Sequence, residues 1–514
     1  MIAAGLIYLA LPLSKAELIH RSSLKNKFII DNILYRINDS SIETSKGIYL
    51  IDINTKWVLG EEEVKKGKAR FLGQNVWIQC NDEGVVKEIV ADSNLNVPEK
   101  IRVILSMDSS GNQYVHSNIA ISCNDEFWSV QDGMIQTYSS KEEITADVLE
   151  KRTVFIPAKE GTPLKITTPN GTKEYLGILE VTPEKNGYSV VNEVTLENYI
   201  KGVVPAEMPS SYGVEAAKVQ AVCARNYVYN QWYGTEKFAC WGAQVDDSVK
   251  SQVYGGNINN SICIQGVEET WGEFLTYEGT PIATNYFSTS CGYTANGSEV
   301  WGGSEAVYQK GSRQYIEEEA YDLSTEEGFY AFITDYKLNA YDSHSPWFRW
   351  SVEITIEQIQ NRIEKYLEGS PKVKVIDGDT LVETMKVEVG NFSDIFVYER
   401  SQTGMAVSLL IVGDKKSIVI EGPNEIRKLL GDVSVILMNG ESAGERELLP
   451  SAFIIFEKIK DSKEELMAIK IWGGGYGHGV GMSQNGVKGM IDAGFGYQDI
   501  LKHYFKDTEL TILY

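Results

Sequence analysis

Residues 191–229 read VNEVTLENYIKGVVPAEMPSSYGVEAAKVQAVCARNYVY, and this run predicts two helices joined by a stiff turn. Apolar residues recur at helical spacing over 196–204, and Thr195 precedes them as a suitable N-cap. Pro205 is expected to end the first helix, because a proline pushes the residue before it out of the helical region.

The second helix is predicted to run from Val214 to a glycine stop at Gly234. Its apolar stripe consists of Val214, Ala217, Ala221, Ala224 and Val228. Because small side chains dominate this stripe, another element is expected to approach it closely. Lys218 and Arg225 are seven residues apart and share the same face. They either bind acidic or hydroxyl groups of a ligand or form ion pairs within the core, and both interpretations stay open.

The turn between the helices holds one acidic side chain, Glu207, between Pro205 and Pro209. Each proline fixes its own φ and restricts its predecessor, so this turn is expected to be stiff. The neighbours Val204 and Met208 are apolar, and apolar surroundings disfavour the ionised form of a carboxyl group. Such a group suits general acid catalysis near neutral pH. The alternative is an ordinary surface glutamate.

A glycine-rich run, GGGYGHGVGMSQ at 473–484, is the second candidate site. Alternating glycines let a backbone approach a ligand or bend sharply. Their spacing matches neither nucleotide-binding glycine motif, and Asn485 replaces the glycine that a nucleophile elbow requires. His478 is either a site residue or a structural one.

A third segment, YFSTSCGY at 286–293, offers small hydroxyl groups that could hydrogen-bond a sugar or a peptide. The alternative is a structural strand with a glycine bulge. Cys291 and His478 would form a nucleophile–base pair only if the fold brought them within hydrogen-bond reach.

The composition is that of a globular protein of several domains: 514 residues, 43% of them hydrophobic, with a formal net charge of −23. This acidic balance disfavours a nucleic-acid partner and adhesion to anionic lipid. None of the six cysteines forms a C-x-x-C pair. Mostly reduced thiols are expected, because a chain of this size needs no disulfides to build a core.

Four blocks in order closely resemble the stage II sporulation protein D (SpoIID/LytB) family of peptidoglycan-active proteins. They are 191–229, TNYFSTSCGYT at 284–294, VW at 300–301 and GYGHGVGMSQNGVKGM at 475–490. The resemblance implies a lytic transglycosylase that cuts glycan strands already stripped of stem peptides and leaves 1,6-anhydromuramic ends. It places Glu207 at the family's catalytic glutamate. A single carboxylate is sufficient, because the 6-hydroxyl of the sugar is the attacking group.

The site assignments follow from the family blocks and from residue polarity. The candidate substrate-binding residues are Lys218, Arg225, Tyr286, Ser288, Ser290, Tyr476, His478 and Gln484. No cofactor is expected. Some relatives bind zinc in a Cys/His-rich segment, but residues 240–254 here contain one Cys and no His, so no metal is expected.

The resemblance also implies an extracytoplasmic protein that faces the cell wall and acts on peptidoglycan glycan strands. A cell-wall amidase or other sporulation-complex proteins are candidate partners, and membrane contact is expected only through an N-terminal anchor. The alternative function is a non-catalytic, glycan-binding enhancer of a partner amidase.

The predicted fold class is α+β: a mixed, β-rich catalytic domain with packed helices, an inserted α+β domain and a small N-terminal β domain. The predicted parts are an export signal or membrane anchor over 1–26, a β-rich domain over 27–98, the SpoIID-like catalytic region over 99–300, the inserted domain over 301–466 and a Gly-rich C-terminal part of the catalytic region over 467–514. Residues 264–300 and ETMKVEVG at 383–390 are expected to be strands. For the apolar run at 1–13, a buried strand or helix is the alternative to an export signal.

Overall fold

The structure is a computed structural model that describes residues 28–81, 83–91, 97–107, 111–316, 321–377 and 380–514. The chain forms two compact units. The first contains the described residues up to Phe274 together with Thr511–Tyr514, and the second is Leu275–Leu510. The predicted segment 1–26 lies outside the described residues, and the predicted domain boundaries stay predictions.

The first unit begins with a seven-stranded sheet in the order β3-β2-β1-β6-β7-β4-β5. Its strands are β1 (Phe28–Ile37), β2 (Ser41–Thr44), β3 (Gly47–Leu50), β4 (Lys56–Leu59), β5 (Glu62–Glu63), β6 (Asn75–Cys80) and β7 (Val86–Ala91). The rings of Trp57 and Phe71 meet edge to face in its core, with centroids 5.2 Å apart. The Arg70 guanidinium lies 4.3 Å from the centroid of the Tyr233 ring, so this sheet packs onto the rest of the first unit.

Two further sheets of the first unit have the orders β11-β10-β13-β16-β17-β8-β18 and β12-β9-β14-β15. Their strands are β8 (Lys100–Ile104), β9 (Ala120–Cys123), β10 (Phe127–Gln131), β11 (Met134–Tyr138), β12 (Glu143–Thr145), β13 (Thr153–Pro157), β14 (Leu164–Thr168), β15 (Gly171–Tyr175), β16 (Ile178–Glu184), β17 (Gly187–Thr195) and β18 (Val245–Asp246). Val181 and Val190 face each other across β16 and β17 and are fully buried. They belong to the core that the helices cover.

The helices of this unit are α1 (Leu196–Glu207), α2 (Val214–Gly234) and α3 (Ser261–Glu269). Pro205 lies inside α1 and does not end it, so the predicted stop was wrong. The last turn is closed by the Met208 N–H, which donates to the Val204 carbonyl at 2.9 Å. Val203 and Val204 are fully buried, and this packing holds the backbone helical against the local preference before a proline.

Helix α3 occupies part of the segment that the sequence predicts as strands. The Asn260 side chain caps it by accepting the Cys263 N–H at 3.1 Å. At Gly266 it lies so close to α2 that a Cβ there would come within 2.5 Å of the Ala217 Cβ. The close approach predicted for the small-residue stripe is therefore confirmed, and the contact with α2 explains why this isoleucine-containing segment is helical.

Strands β19 (Glu273–Tyr277) and β33 (Glu509–Ile512) carry the chain across the two boundaries between the units. Three sheets of the second unit have the orders β21-β32, β29-β28-β22-β31-β30 and β24-β23-β27-β26-β25. The remaining strands are β20 (Thr280–Pro281), β21 (Tyr286–Phe287), β22 (Trp350–Thr355), β23 (Val373–Asp377), β24 (Thr380–Thr384), β25 (Phe392–Arg400), β26 (Ala406–Gly413), β27 (Ile418–Glu421), β28 (Val433–Leu437), β29 (Ser442–Arg446), β30 (Ile454–Lys460), β31 (Leu466–Gly473) and β32 (Met482–Ser483).

The helices of the second unit are α4 (Gly297–Trp301), α5 (Glu326–Thr334), α6 (Ile356–Glu368), α7 (Pro423–Leu429), α8 (Gln484–Asp492) and α9 (Tyr497–Tyr504). The strand predicted over 383–390 is wrong beyond Thr384. The Thr384 hydroxyl accepts the Lys386 N–H at 3.2 Å and donates to the Lys386 carbonyl at 3.0 Å, and this local turn ends the strand. The predicted α+β, β-rich fold class is confirmed.

Candidate active site

Glu207 is the last residue of α1, and its side chain is half-buried. Its Oε1 accepts the N–H of Val253 at 2.7 Å. Its sequence neighbours Val204 and Met208 are 0% and 2% exposed. The carboxyl group is therefore oriented by the loop that contains Val253.

Two phenols of the first unit lie close to this carboxyl group. Burial raises the pKa of Tyr227, and the charges of Asp246 and Glu207 raise it further. Burial likewise raises the pKa of Tyr199, whose hydroxyl donates to the Gln252 Oε1 at 3.3 Å. Both phenols thus stay protonated at neutral pH and act as O–H donors. The sequence analysis did not select Tyr227, because an aromatic residue in an apolar helix normally indicates core.

Asp246 and Asp247 were also missed as site-forming residues. Asp246 is fully buried, and its Oδ2 accepts the Tyr114 hydroxyl at 3.0 Å. Burial raises the pKa of Asp247 to about 6, although its Oδ1 accepts two bonds from Ser106, at 2.8 Å from the N–H and 2.6 Å from Oγ. Because both carboxylates are buried, Glu207 is more accessible to a ligand than either of them. The available signal was a pair of adjacent acidic residues within 240–254, the segment that was considered as a zinc site.

The structure gives Arg225 the structural role that the sequence left as an alternative. Its guanidinium is fully buried and makes a bidentate pair with Glu197, through Nε to Oε1 at 2.7 Å and Nη2 to Oε2 at 2.8 Å. Lys218 Nζ lies 2.8 Å from carboxylate oxygens of both Glu215 and Glu269. The assignment of Arg225 to substrate binding is therefore corrected, whereas Lys218, whose carboxylate partners are 36% and 43% exposed, stays a candidate.

In the second unit, the structure brings together the two predicted polar segments. Strands β21 and β32 pair in parallel, with Tyr286 opposite Met482. The Tyr476 N–H donates to the Thr289 carbonyl at 2.8 Å, and the Thr289 N–H donates back at 3.2 Å. Gly475 has a φ of +79°, and a Cβ there would lie 2.8 Å from the Thr289 carbonyl oxygen. The glycine-rich run thus lies directly against the hydroxyl-rich strand.

His478 is held by the backbone at both ring nitrogens. Its Nδ1 accepts the Val480 N–H at 3.1 Å, so Nε2 carries the proton and donates to the Tyr286 carbonyl at 3.0 Å. Burial, together with the charge of Arg427, lowers the pKa of His478 to about 4. The imidazole is therefore neutral at physiological pH and supports the glycine-rich run.

The predicted hydroxyl groups differ in accessibility. Ser290 is buried: its N–H and Oγ donate to the two oxygens of Asp342, at 2.8 and 2.7 Å. Its assignment to substrate binding is therefore corrected. Ser288 is half-buried, and its carbonyl accepts the Asn485 N–H at 2.9 Å. Tyr286, Tyr476 and Gln484 are also half-buried and stay candidates. Asp342 was missed, since no sequence pattern links it to residue 290.

The cysteine-nucleophile alternative is wrong. Cys291 is fully buried, and burial raises the pKa of its thiol to about 12. None of the six cysteines, all of which lie in the described part of the chain, forms a disulfide. Among the described residues, no group of three or more His, Cys, Asp or Glu side chains is arranged to hold a metal ion. No described helix has the length and apolarity needed to cross a membrane.

One known family model matches the part of the first unit that contains Glu207. Residues 184–277 match the family model described as "Stage II sporulation protein" (SpoIID). The chain carries a SpoIID-family domain. Residues 295–481 match a domain of unknown function (DUF8618). The resemblance predicted from the sequence is confirmed. The SpoIID match contains Glu207, whereas Tyr476 and His478 fall in the second match.

Similarity to curated proteins extends beyond the SpoIID domain. The chain is 29% identical to the amidase enhancer of Bacillus subtilis (strain 168) over 328 residues, which cover 61% of this chain and 40% of that protein. It is 26% identical to the stage II sporulation protein D of the same organism over 334 residues, covering 62% of this chain and 76% of the relative. An uncharacterized protein of Brachyspira hyodysenteriae is 28% identical over 345 residues, covering 67% and 73%. The chain thus spans less than half the length of the amidase enhancer.

Proposed function

We propose that this protein acts on the bacterial cell wall, in sporulation or in wall remodelling, as a lytic transglycosylase of peptidoglycan glycan strands. The observation that carries the proposal is the half-buried Glu207, whose Oε1 accepts the Val253 N–H at 2.7 Å and whose sequence neighbours Val204 and Met208 are buried. The SpoIID-domain match and the names of two relatives support a cell-wall or sporulation role.

The first step breaks the glycosidic bond. Glu207 donates its proton to the bridging oxygen as the bond from the anomeric carbon breaks, and positive charge develops on the sugar ring. A protonated carboxyl group still accepts a hydrogen bond at its carbonyl oxygen. The Val253 N–H can therefore hold the side chain in both protonation states.

The second step closes the anhydro ring. The 6-hydroxyl of the same muramic acid residue attacks the anomeric carbon, and the Glu207 carboxylate takes the hydroxyl proton. The carboxyl group is thereby regenerated, and the product carries a 1,6-anhydromuramic end. No second enzymic carboxylate and no positioned water is consumed, in contrast to ordinary glycosidases. A mechanism with one catalytic carboxylate agrees with the burial of Asp246 and Asp247.

The test is mass spectrometry of denuded glycan strands after incubation with the purified protein. The proposal predicts fragments with 1,6-anhydromuramic ends, and it fails if the strands stay intact or gain only reducing ends. Glu268→Gln is the control for loss of a carboxylate in the same unit, because the Glu268 side chain is 56% exposed and pairs with Lys201. This variant is expected to give the wild-type products.

The second candidate function is a non-catalytic, glycan-binding enhancer of a partner amidase. The relative named amidase enhancer favours it. Under this alternative, the protein would bind denuded glycan without releasing anhydro ends, and it would raise the rate of an added cell-wall amidase. An extracytoplasmic, wall-facing location suits both functions, and peptidoglycan glycan is the proposed partner in both.

A further inference from the structure

One surface of the second unit combines two arginines with three aromatic rings. We call it the arginine–aromatic patch, and its residues are Trp301, Trp347, Arg427, Arg446 and Tyr476. Trp301 is 49% exposed, and the other four side chains are half-buried. Only Tyr476 was among the candidate site residues, so the patch was not anticipated from the sequence.

The rings of the patch lie close to one another and to one cation. The centroids of the Trp347 and Tyr476 rings are 4.4 Å apart. The Arg446 Cζ, at the end of β29, lies 5.5 Å from the centroid of Trp347. The Trp301 ring lies 5.3 Å from the imidazole of His478, two residues beyond Tyr476. The aromatic surface therefore follows the glycine-rich run.

Arg427 reaches the same run from α7. Its Nε donates to the Leu449 carbonyl at 2.8 Å. The carbonyl of the next residue, Pro450, accepts the N–H of Gly477 at 3.0 Å. Gly477 directly follows Tyr476. The segment Leu449–Pro450 therefore bonds both the Arg427 guanidinium and the residue after Tyr476, whose ring packs on Trp347.

Among the residues that the structure describes, no carboxylate forms an ion pair with Arg427 or Arg446. Burial lowers the pKa of Arg427, with Tyr476 opposing this shift, and no acidic residue contributes. The Nε of Arg446 is buried without a hydrogen-bond partner among the described residues. Arg400 of the same unit, in contrast, pairs with Glu326 at 2.6 Å. Partly buried cations without carboxylate partners are suited to an anion supplied by a ligand.

The chemistry of the patch indicates the kind of anion. A guanidinium group presents a planar fork of donors that matches a carboxylate in bidentate geometry. Aromatic rings such as Trp347 add broad apolar faces with a polar edge, suited to packing against a sugar ring. We propose that the arginine–aromatic patch binds a carboxylate-bearing sugar, namely the lactyl carboxylate of muramic acid in a glycan strand. This inference rests on the proposed function and names the substrate group that the second unit recognises.

The test measures binding of three oligosaccharides by calorimetry in a Glu207→Gln background, which is expected to keep them intact. They are a denuded glycan tetrasaccharide, the same tetrasaccharide with its carboxylates converted to amides, and chitotetraose. The patch predicts about tenfold tighter binding of the acidic tetrasaccharide than of the other two, which corresponds to one charge-assisted hydrogen-bond pair. Arg427→Gln and Arg446→Gln should each remove most of this preference.

The matched control is Arg313→Gln. Arg313 is exposed and lies 5.1 Å over the Tyr315 ring, so the change removes an equal charge beside an aromatic residue outside the patch. It should keep the full preference. Arg446→Gln keeps the test decisive if loss of the Arg427–Leu449 bond unfolds the protein. Equal affinity for acid and amide, or a preference that survives both patch variants, would overturn the inference.

The same reagents separate this inference from the proposed function. Cleavage of denuded glycan without a carboxylate preference would overturn the patch assignment and leave the transglycosylase proposal intact. A carboxylate preference that depends on Arg427 and Arg446, without anhydro products from the wild-type protein, would overturn the transglycosylase proposal and keep the patch.

Discussion

Helices α1 and α2 of the first unit differ from the glycine-rich run and its adjoining strand in the second unit. The difference lies in which polar side chains find their partners within the protein. At the end of α1, the acidic side chain Glu207 stays half-exposed, while the cation Arg225 is buried in an ion pair. His478 in the glycine-rich run and Ser290 in the strand against it are bonded to the protein itself, while Arg427 and Arg446 pair with no carboxylate among the described residues.

This difference indicates that the burial and the partners of a polar residue, more than its type, decide whether it has a structural or a ligand-binding role. Arg225 and Ser290 have structural roles, because each bonds a buried carboxylate, that of Glu197 or that of Asp342. Glu207 and Arg427 are only half-buried, so part of each side chain is accessible to a ligand. The following predictions test this division in order of decreasing effect.

The largest effect on folding is expected for Arg225→Met. This variant leaves the buried Glu197 without its partner and should lower the free energy of unfolding by about 3–5 kcal/mol. Urea denaturation measures the change. The double variant Arg225→Met/Glu197→Leu should recover most of the loss, because it removes the uncompensated charge. A single-variant loss below about 1 kcal/mol would contradict the structural role of Arg225.

The next effect is a pH dependence from His478. Its pKa falls from 6.5 in the unfolded chain to about 4 in the folded protein, so the unfolded state binds more protons between these values. Stability from this group is therefore full above pH 6.5 and is lost as the pH falls toward 4. One pKa unit corresponds to about 1.4 kcal/mol, so the loss approaches roughly 3 kcal/mol.

The measurement compares unfolding of wild type and His478→Gln at pH 7.5 and pH 4.5. The variant should lose less stability on acidification than wild type. The half-buried His503, whose pKa is also lowered to about 4, is present in both proteins and cancels in the comparison. Parallel pH profiles would show that His478 is not held neutral.

A smaller effect separates the two serines of the hydroxyl-rich strand. Ser290→Ala removes a hydrogen bond to the buried Asp342 and should cost about 1–3 kcal/mol. Ser288→Ala should cost less than about 0.5 kcal/mol, because its hydroxyl is half-exposed. Thermal denaturation of both variants checks the contrast, and equal costs would contradict it.

The smallest effect is expected for Lys218→Met. Its ion pairs with Glu215 and Glu269 are partly exposed to solvent, so their loss should cost at most about 1 kcal/mol. The melting temperature at low and high salt measures it, and the difference from wild type should shrink in high salt. A loss similar to that of Arg225→Met would erase the distinction between the two cations.

Sequence patterns predicted α1 and α2 well, because their apolar spacing agrees with the packing that they adopt. They failed at Pro205 and over α3, where burial of Val203 and Val204 and contact between Gly266 and Ala217 outweigh local preference. Such packing depends on residues distant in the chain.

The candidate site could be predicted in part. Glu207 stands out from its two prolines and apolar neighbours. Asp342 and Arg427 could not be found, because the fold alone brings Asp342 to Ser290 and Arg427 to Tyr476, and both pairs are far apart in the sequence. Lys218 and Arg225 were ambiguous, since a charge on an apolar helix face does not reveal whether its partner is a ligand or a carboxylate of the same chain.

The most direct test of the central claim is the rate at which Glu207→Gln forms 1,6-anhydromuramic ends on denuded glycan, relative to wild type. The variant is nearly isosteric and keeps an oxygen that can accept the Val253 N–H, so folding and glycan binding should be unchanged. Loss of the transferable proton predicts a rate lower by about 10²–10⁴-fold. A folded Glu207→Gln protein that forms these ends at close to the wild-type rate would contradict the assignment of Glu207 as the proton donor.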